Sequence, residues 1–329
     1  MPNTASTPST AEYARGAFFG LAAVSIWAGN IVVGGLGLRS SLTPWDIAAI
    51  RFSVAGLVLV PYLIRRGVAL DQLGWMGLGA LVLGGAPTVL LANAGLLFAP
   101  AAHAGALFPG VMPLMVVALA VPVLNEPFAL PKRIGVAVIT AGVVGIVWGS
   151  DGTLGTAQNI GHLLFLASAL AFACYTVAMR RARLAGLHAA AISAVGSMLL
   201  YVPPYAVLSG GSLFEASAAA IALQALVQGV LTAVISYIVY GRAIGILGAS
   251  SGAAFAASCP AMTALLAIPI LGEWPSAIEW VAITLISTGV YIVSGGPLPP
   301  ATFSASITRA WAPPRPRGAP SARPRRRPD

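Results

Sequence analysis

Charge is the property that this sequence has least of. Of its 329 residues, 8% are charged and 58% are hydrophobic, and the mean hydropathy is +0.88. A soluble domain is roughly one quarter charged, so this chain lacks the polar surface needed to face water on every side. Its apolar surface must face lipid instead. The composition excludes an ordinary soluble domain and predicts an integral membrane protein.

Residues that usually hold metals or perform catalysis are also rare. The two cysteines, Cys174 and Cys259, lie far apart inside apolar runs, a spacing that predicts neither a metal site nor a disulfide framework. Of three histidines, His103 and His162 fall at outer helix ends, where histidines are usually inert, although a role in proton coupling stays open. No H-E-x-x-H or Walker A sequence occurs. No metal, cofactor or catalytic residue is predicted.

One short motif could still indicate an enzyme. "GASSG" (248–252) matches the G-x-S-x-G elbow of serine hydrolases, which requires a strand-to-helix turn. Here the motif opens a predicted membrane span, and His188 is the only histidine predicted to lie on the same side. The chain is therefore predicted not to be an enzyme.

The apolar residues form long runs, and no alternation typical of β-strands competes with them. A run of about 20 apolar residues is long enough to cross a membrane as a helix. The sequence predicts ten such spans, at 16–36, 46–64, 74–97, 102–124, 132–149, 160–180, 189–208, 221–240, 248–271 and 277–295.

The basic residues predict the orientation. With the N-terminus in the cytoplasm, 16 of the 18 lysines and arginines lie on the cytoplasmic side, Arg39 lies in an outer loop and Arg51 lies inside the second span. Cytoplasmic loops carry the excess of Lys and Arg in membrane proteins. Both termini are therefore predicted to be cytoplasmic, which requires an even number of spans. The predicted location is the cell inner membrane.

Two stretches of the chain repeat each other at an offset of 147 residues. "GALFPGVMPLMVVALAVPVLNE" (105–126) and "GAAFAASCPAMTALLAIPILGE" (252–273) share ten of 22 positions without a gap, including two prolines and the final glutamate. The chain is thus predicted to contain two copies of a five-span unit. Since five is odd, the second copy is inverted, which fits cytoplasmic Lys132 aligning with outer Glu279. Inverted repeats allow a transporter to alternate access.

The predicted fold is an all-α integral membrane protein with four segments. They are a cytoplasmic N-terminal segment (1–15), a first five-helix repeat (16–150), a second, inverted repeat (151–296) and a cytoplasmic tail (297–329). The tail is rich in Pro and Arg, a composition that predicts disorder. It could touch anionic headgroups or nucleic acid, but a solvated, orienting tail is the simpler interpretation, and no nucleic-acid partner is predicted.

Several motifs resemble the EamA-type branch of the drug/metabolite transporter superfamily. They are "WAGN" in the first span, "PWDIAAIRF" at the second, the alanine-rich entry into the fourth, and "P-x-L-x-E-P", which recurs as "P-x-L-x-E-W". The resemblance covers residues 16 to 296. It implies a ten-helix bundle with a central cavity that exports small metabolites such as amino acids or toxic compounds. It also implies that the fifth and tenth spans are peripheral.

Polar and aromatic residues at membrane depth are the candidate substrate-binding residues. Arg51 lies inside the second span, where a charge is costly and by default functional; it could bind a substrate carboxylate or turn outward towards Asp46. Trp27, Asn30 and Tyr175 lie in the middle of the first and sixth spans, where a polar group needs a partner. A cavity or hydrogen bonds between helices could supply that partner.

The third and eighth spans supply further candidates. Gln228 and Ser236 share one face of the eighth span, followed by Tyr237, and Asn93 lies on the third span at the position that matches Tyr240. One polar stripe on an apolar helix predicts a cavity beside it.

Prolines recur inside the predicted spans at Pro113, Pro122, Pro260 and Pro269. Proline removes a backbone donor, so these residues could form broken helices at a midplane site. Their recurrence in both repeats favours helix kinks that serve the alternating motion.

Taken together, these features predict a secondary-active transporter of a small amino acid-like or amphiphilic metabolite, with export favoured. Import or exchange is the main alternative, and a non-transporting scaffold is a weaker one. The predicted partners are a small-molecule substrate and the lipid bilayer. No carboxylate lies deep in a span, so proton coupling stays open, as does the choice between monomer and homodimer.

Overall fold

The computed structural model describes residues 10–149, 157–209 and 211–295. Helices account for most of these ranges, and no strand occurs within them. The predicted tail, the first nine residues and the predicted boundary between the repeats at 150–151 lie outside the described residues. Eight helical stretches are long and apolar enough to cross a membrane, which supports the predicted class of multi-pass membrane protein.

The first half has unbroken helices at its predicted first, second and fifth spans, whereas its third and fourth spans are each divided into two helices. The third span is therefore not the continuous helix predicted at 74–97. The helices are α1 (Thr10–Arg39), α2 (Pro44–Arg66), α3 (Leu70–Leu83), α4 (Ala86–Gly95), α5 (Ala101–Leu107), α6 (Met112–Leu124) and α7 (Leu130–Gly149).

The second half follows a similar order. Its eighth span is a composite whose middle is a π-helix, and its ninth is divided into two helices. The elements are α8 (Ala157–Arg181), α9 (Gly186–Leu208), a 3₁₀ turn (Ser212–Glu215), α10 (Ala218–Gln224), the π-helix (Ala225–Ile235), α11 (Ser236–Leu247), α12 (Ala249–Ala257), α13 (Cys259–Leu271) and α14 (Ala277–Val293). Because α13 and α14 are shorter than the eight long stretches, the count of ten spans stays a prediction.

The repeated stretches adopt matching structures. Both ends of α13 lie 147 residues after the corresponding ends of α6. Each helix is followed by a residue in the left-handed conformation, Asn125 (φ 53°) after α6 and Gly272 (φ 68°) after α13. Glycine and asparagine are the residues that tolerate this conformation when a helix ends. The next residue along the chain is Glu126 in one repeat and Glu273 in the other.

The prolines fall into two structural classes. Pro113 and Pro260 lie in the first turns of α6 and α13, directly after the breaks that separate these helices from α5 and α12. A proline fits there because the first turn has no intrahelical hydrogen bond to lose. Pro122 and Pro269 lie inside α6 and α13, where proline removes a bond.

Helices α2 and α9 pack antiparallel and define two opposite ends of the bundle. At the start of α2, Asp46 accepts a hydrogen bond from Tyr205, near the end of α9. At the other end, the ring of His188, near the start of α9, donates from Nε2 to the carbonyl oxygen of Gly67 (2.9 Å). The 23 residues of α2 correspond to about 34 Å. Arg39 precedes the first contact in sequence and Arg180 precedes the second, so these arginines mark opposite ends.

Helices α7 and α14 form a close pair. A Cβ atom on Gly142 would fall 2.8 Å from the carbonyl oxygen of Ala282, and one on Gly289 would fall 2.8 Å from that of Gly135. The absence of side chains thus lets the two backbones approach, as small residues do at helix interfaces in membranes. Since α7 and α14 are matching elements of the two halves, this contact joins the repeats.

Candidate functional site

Arg51 is the centre of a polar cluster between α1, α2 and the π-helix. Its Nη1 atom donates to Oδ1 of Asn30 (3.2 Å) and to Oε1 of Gln228 (3.0 Å). The position lies seven residues into α2, about 10 Å from its start. Three predicted site residues, separated by up to 198 positions in sequence, are thus brought together.

The outward alternative for Arg51 is not what the structure shows. Asp46 is fully buried and caps α2 by accepting from the backbone N–H and hydroxyl of Thr43 (2.7 Å each). Together with the bond from Tyr205, these contacts make Asp46 a structural residue of the helix start. Arg51 instead points towards the neutral side chains described above.

The π-helix supplies more of the cluster than was predicted. The Gln228 amide donates to the backbone oxygen of Asn30 (3.2 Å), and the hydroxyl of Thr232 lies 3.3 Å from Asn30 Oδ1. Thr232 was missed, although it lies four residues from both Gln228 and Ser236. The i→i+5 bonds of a π-helix widen its turn, which keeps side chains spaced by four residues on one face.

A small cavity lies beside the guanidinium group. Its volume is ≈ 40 Å³, enough for about one water molecule and too small for a metabolite. The hydroxyl of Tyr175 is buried without a hydrogen-bond partner among the described residues; it faces the phenol of Tyr237, which also lies against Arg51. The walls include Arg51, Gly84, Gly85, Tyr175, Ser193 and Tyr237.

The break between α3 and α4 forms part of this wall. A Cβ atom on Gly85 would lie 2.0 Å from the hydroxyl oxygen of Ser197, and one on Gly84 would lie 2.4 Å from Cβ of Tyr175. The same hydroxyl of Ser197 accepts from the N–H of Ala86 (3.0 Å), which satisfies a backbone donor at the break. A broken helix at a cavity is a common arrangement in transporters.

Other predicted residues lie away from the cavity wall. The ring of Trp27 packs edge-on against Tyr240, with 4.8 Å between ring centres. The hydroxyl of Ser236 donates to the Thr232 carbonyl oxygen (2.7 Å) in its own helix. Asn93 donates to the Val89 carbonyl oxygen (3.0 Å), while its oxygen lies near Gly34, next to the amide nitrogen of Gln228.

The two ends of the bundle carry matching ion pairs. We call one end of the bundle the Glu126 end. There, Arg180 and Lys132 donate to the carboxylate of Glu126, and Lys132 Nζ lies 3.0 Å from Glu126 Oε2. At the opposite Glu273 end, Arg39 Nη2 donates to Glu273 Oε1 (2.7 Å).

Each of these ion pairs joins the two halves. Arg39 lies in the last turn of α1 and Arg180 in the last turn of α8, whereas the glutamates follow α6 and α13. Each glutamate is therefore paired with an arginine from the other half of the chain.

Comparison with known proteins decides the family. A family model described as "EamA-like transporter family" matches residues 14–148 and, a second time, residues 159–295. The chain belongs to the EamA-like transporter family. The resemblance of its motifs is thereby confirmed, and the double match fits the two-repeat layout. The protein is a multi-pass membrane protein of a transporter family.

Solved structures agree on the fold. Eighteen chains of solved structures match, among them one described as "Crystal structure of protein", with 21% sequence identity and a TM-score of 0.54. That likeness covers 84% of this chain and 94% of the other; at such an identity it shows the fold alone. No curated protein matches the chain.

Proposed function

We propose that this EamA-like protein is a secondary-active transporter that exports a small carboxylate-bearing metabolite, amino acid-like or amphiphilic, across the inner membrane. Access to the substrate site alternates between the Glu126 end, which faces the cytoplasm, and the Glu273 end, which faces outward. Ten spans, cytoplasmic termini and repeats at 16–150 and 151–296 complete the proposed topology. Import or exchange of the same metabolite is the alternative.

Arg51 is the observation that carries the proposed substrate class. Its recorded hydrogen bonds go to the neutral side chains of Asn30 and Gln228, and no carboxylate lies within ion-pair distance of it among the described residues. Arg51 is half-buried, and a charge that is partly removed from water with only neutral partners is costly. A substrate carboxylate would offset that cost, and guanidinium binds carboxylates through well-directed paired bonds.

The aromatic residues complement this charge. Phe172 stacks on Tyr175 with 4.9 Å between ring centres, and both line the cavity with Tyr237. Such a wall offers apolar surface to the rest of an amphiphilic substrate, while the facing hydroxyls of Tyr175 and Tyr237 offer hydrogen-bond donors. Asn30, Gln228 and Thr232 position Arg51, and we assign Asn93 to the edge of the same polar cluster.

The small cavity and the two ion pairs support alternating access. A cavity of ≈ 40 Å³ requires the bundle to open before a metabolite can enter. Both cross-repeat pairs are formed, so each end of the bundle has a contact that joins the two halves. Breaking one pair while keeping the other would expose the site to one side only, and the helix breaks at Pro113 and Pro260 supply places for the helices to bend.

Transport by purified protein in proteoliposomes tests this proposal. Candidate carboxylates are compared with their decarboxylated amines and with empty vesicles, with and without a pH gradient. We expect Arg51→Gln to reduce carboxylate flux about tenfold or more, because hydrogen bonds to charged groups contribute about 1.5–3 kcal/mol. Arg51→Lys should retain part of it. Arg242→Gln, which removes an exposed arginine of α11, is the matched control and should leave flux unchanged.

Each part of the proposal has its own contradicting result. Equal flux of carboxylates and amines would overturn the role of Arg51, and no flux above empty vesicles would overturn the transporter assignment. Removing residues 301–329 separates a transporter from a scaffold that acts through its tail. A transporter should keep its flux after this truncation.

A further inference from the structure

Two buried histidines and a glutamate form a hydrogen-bonded chain at the Glu273 end. The ring nitrogens His103 Nδ1 and His162 Nε2 are 2.9 Å apart, and His103 Nε2 is 2.6 Å from Glu279 Oε1. The histidines are 1% and 2% exposed, and Gln158 lies 3.3 Å from His103 Nδ1. His103 is in α5, His162 in α8 and Glu279 in α14, so the chain links three helices.

The hydrogen bonds restrict where protons can lie. With neutral rings, His103 Nε2–H donates to the Glu279 carboxylate, which leaves His103 Nδ1 to accept from His162 Nε2–H. In that state His162 Nδ1 carries a lone pair, and it is buried without a partner among the described residues. The three residues then have a net charge of −1.

A single added proton fits this arrangement without a rotation of either ring. It binds to His162 Nδ1, and the proton on His162 Nε2 passes to His103 Nδ1. His103 is then an imidazolium that donates to both neighbours, next to the negative charge of Glu279. The net charge becomes zero, which is favourable for a group removed from water.

Among the described residues, no other charged side chain pairs with His162, His103 or Glu279. At the same end of the bundle, Arg39 of α1 pairs with Glu273 after α13, Asp46 accepts hydrogen bonds from Thr43 and Tyr205, and the backbone oxygen of Glu215 lies beside the hydroxyl of Ser41. Lys132 and Arg133, the charged residues of α7, lie at its start, whereas its last residue, Gly149, contacts the start of α14 at Ile278. Helix α12 contains no titratable side chain.

The opposite end of the bundle has no equivalent chain. At the offset of 147, His103 corresponds to Ser250 and Glu279 to Lys132, and at the offset of 145 that aligns α8 with α1, His162 corresponds to Ala17. The repeats therefore differ at all three positions, although they share the glutamate that ends α6 and α13. Symmetric helix packing cannot account for a feature found in one copy.

We propose that His162, His103 and Glu279 form a one-proton binding site that opens at His162 Nδ1 and couples proton entry from the Glu273 end to transport. Its role in coupling rests on the proposed function, whereas proton binding is argued from the geometry alone. Helix α8 connects it to the substrate cavity, because the same helix carries His162, Phe172 and Tyr175. Phe108, which ends α5, also contacts Phe172, with 6.2 Å between ring centres.

Nitrogen NMR of ¹⁵N-histidine-labelled full-length protein in nanodiscs tests proton binding without any substrate. The chain has three histidines, so single-histidine variants assign every signal, and His188, at the other end of the bundle, is an internal reference. From about pH 5 to about pH 9, a range around the reference histidine value of about 6.5, we expect His103 and His162 to change in one shared step. No change in either ring, or two unrelated steps, would overturn the site.

Glu279→Gln is the decisive variant, because glutamine retains the capping interaction with Ser276 at the start of α14 while removing the charge. We expect the shared step to move by about one pH unit or more. Asp71→Asn, which removes an exposed carboxylate from the first turn of α3, should leave it in place. A Glu279→Gln spectrum that titrates like the native protein would contradict the site.

Flux in proteoliposomes then tests coupling. We expect Glu279→Gln to lose the acceleration that a pH gradient gives the native protein and to keep substrate exchange at equal pH. An unchanged response to the gradient would overturn the coupling role and leave the transporter assignment intact. Absence of flux in every protein would instead overturn the transporter assignment, while the NMR result for proton binding would stand.

Discussion

At the Glu126 end, the carboxylate of Glu126 forms ion pairs with two basic side chains, Lys132 and Arg180. At the Glu273 end, the carboxylate of Glu273 forms an ion pair with Arg39 and accepts a hydrogen bond from the backbone N–H of Ala101 (2.7 Å). The position of Lys132 is occupied there by Glu279, which binds His103 instead. A reversal of charge at one matching position, together with the two histidines, thus distinguishes the Glu273 end from the purely ionic contacts of the Glu126 end.

The comparison explains why the two ends should respond differently to pH. The hydrogen bond from Lys132, with the charge of Arg180 adding to it, lowers the pKa of Glu126 against the opposing effect of burial. That carboxylate stays ionised throughout the physiological range. At the Glu273 end, by contrast, histidine is the side chain whose charge changes near neutral pH. The two repeats supply matching helices, and a few side chains make the ends unequal.

The largest expected effect comes from removing the two histidines that distinguish the Glu273 end. His103→Ser combined with His162→Ala gives the Glu273 end the residues found at the matching positions of the other repeat. Because the proton site is then absent, transport should lose a dependence on pH that approaches about tenfold per pH unit for a one-proton step. Flux in proteoliposomes over a series of pH values measures it.

His188→Asn is the matched control for this variant, because it removes the third histidine, near the start of α9. It should leave the pH profile unchanged. A profile that is the same in the double variant as in the native protein would show that the difference between the ends has no consequence for transport.

A second prediction tests the symmetry of the contact between α7 and α14. Gly142→Ala and Gly289→Ala should each destabilise the protein by about 1–3 kcal/mol, since the new methyl group meets a backbone carbonyl of the facing helix at 2.8 Å in both cases. Thermal unfolding followed by size-exclusion chromatography measures the change. Gly241→Ala, where a Cβ atom meets nothing within 4 Å, is the control and should not destabilise. Clearly unequal effects at the two crossing positions would contradict a symmetric α7–α14 contact.

The smallest effect concerns the ion pairs themselves. With the native cysteines replaced and Ser193→Cys as a reporter in the cavity wall, Glu126→Gln should increase labelling by an impermeant maleimide from the cytoplasmic side by about 1.4- to fivefold. Glu273→Gln should do so from the outer side. The range follows from the roughly 0.2–1 kcal/mol of a partly exposed ion pair. If both variants increased labelling from the same side, the assignment of the pairs to opposite ends would be wrong.

Lowering the pH tests whether Glu126 stays ionised. A carboxylate whose folded pKa is lowered stabilises the protein above its unfolded value, about 4.3 for Glu, and that contribution is lost as pH falls through the lowered folded value. Because the thiolate is the form that reacts, the labelling rate is divided by that of the denatured protein at the same pH. This ratio should stay constant from the Glu126 side between about pH 8 and about pH 5. An increase within this window would show that Glu126 is not held by Lys132 and Arg180.

The sequence predicted the helical membrane fold and the family because both depend on features that are local or repeated in register. Long apolar runs indicate helices, and the 147-residue offset aligned α6 with α13 before any coordinates. The breaks within the spans could not be predicted from the sequence. The division of the third span at Gly84 depends on the approach of Tyr175 and Ser197, which lie in other helices and leave no pattern around the glycines.

The site was predicted residue by residue but not as an arrangement. Arg51, Asn30 and Gln228 were each chosen because a polar group at membrane depth needs a partner, yet single positions do not reveal which partner. The contact of His103 with Glu279, 176 residues apart, depends on how α5 and α14 pack. The sequence therefore leaves a role of these histidines in proton coupling open. It does not distinguish Thr232 either, because a threonine hydroxyl can also bond within its own helix, as this one does to the Val227 carbonyl oxygen.

The pairing of each glutamate with an arginine of the other half has a consequence for how such a protein is assembled. A first half alone would contain Arg39 and Glu126, each without its present partner. A second half alone would likewise contain Arg180 and Glu273 without theirs. The charges at each end of the bundle are therefore neutralised only when both halves are present, which makes the two halves a single assembly unit.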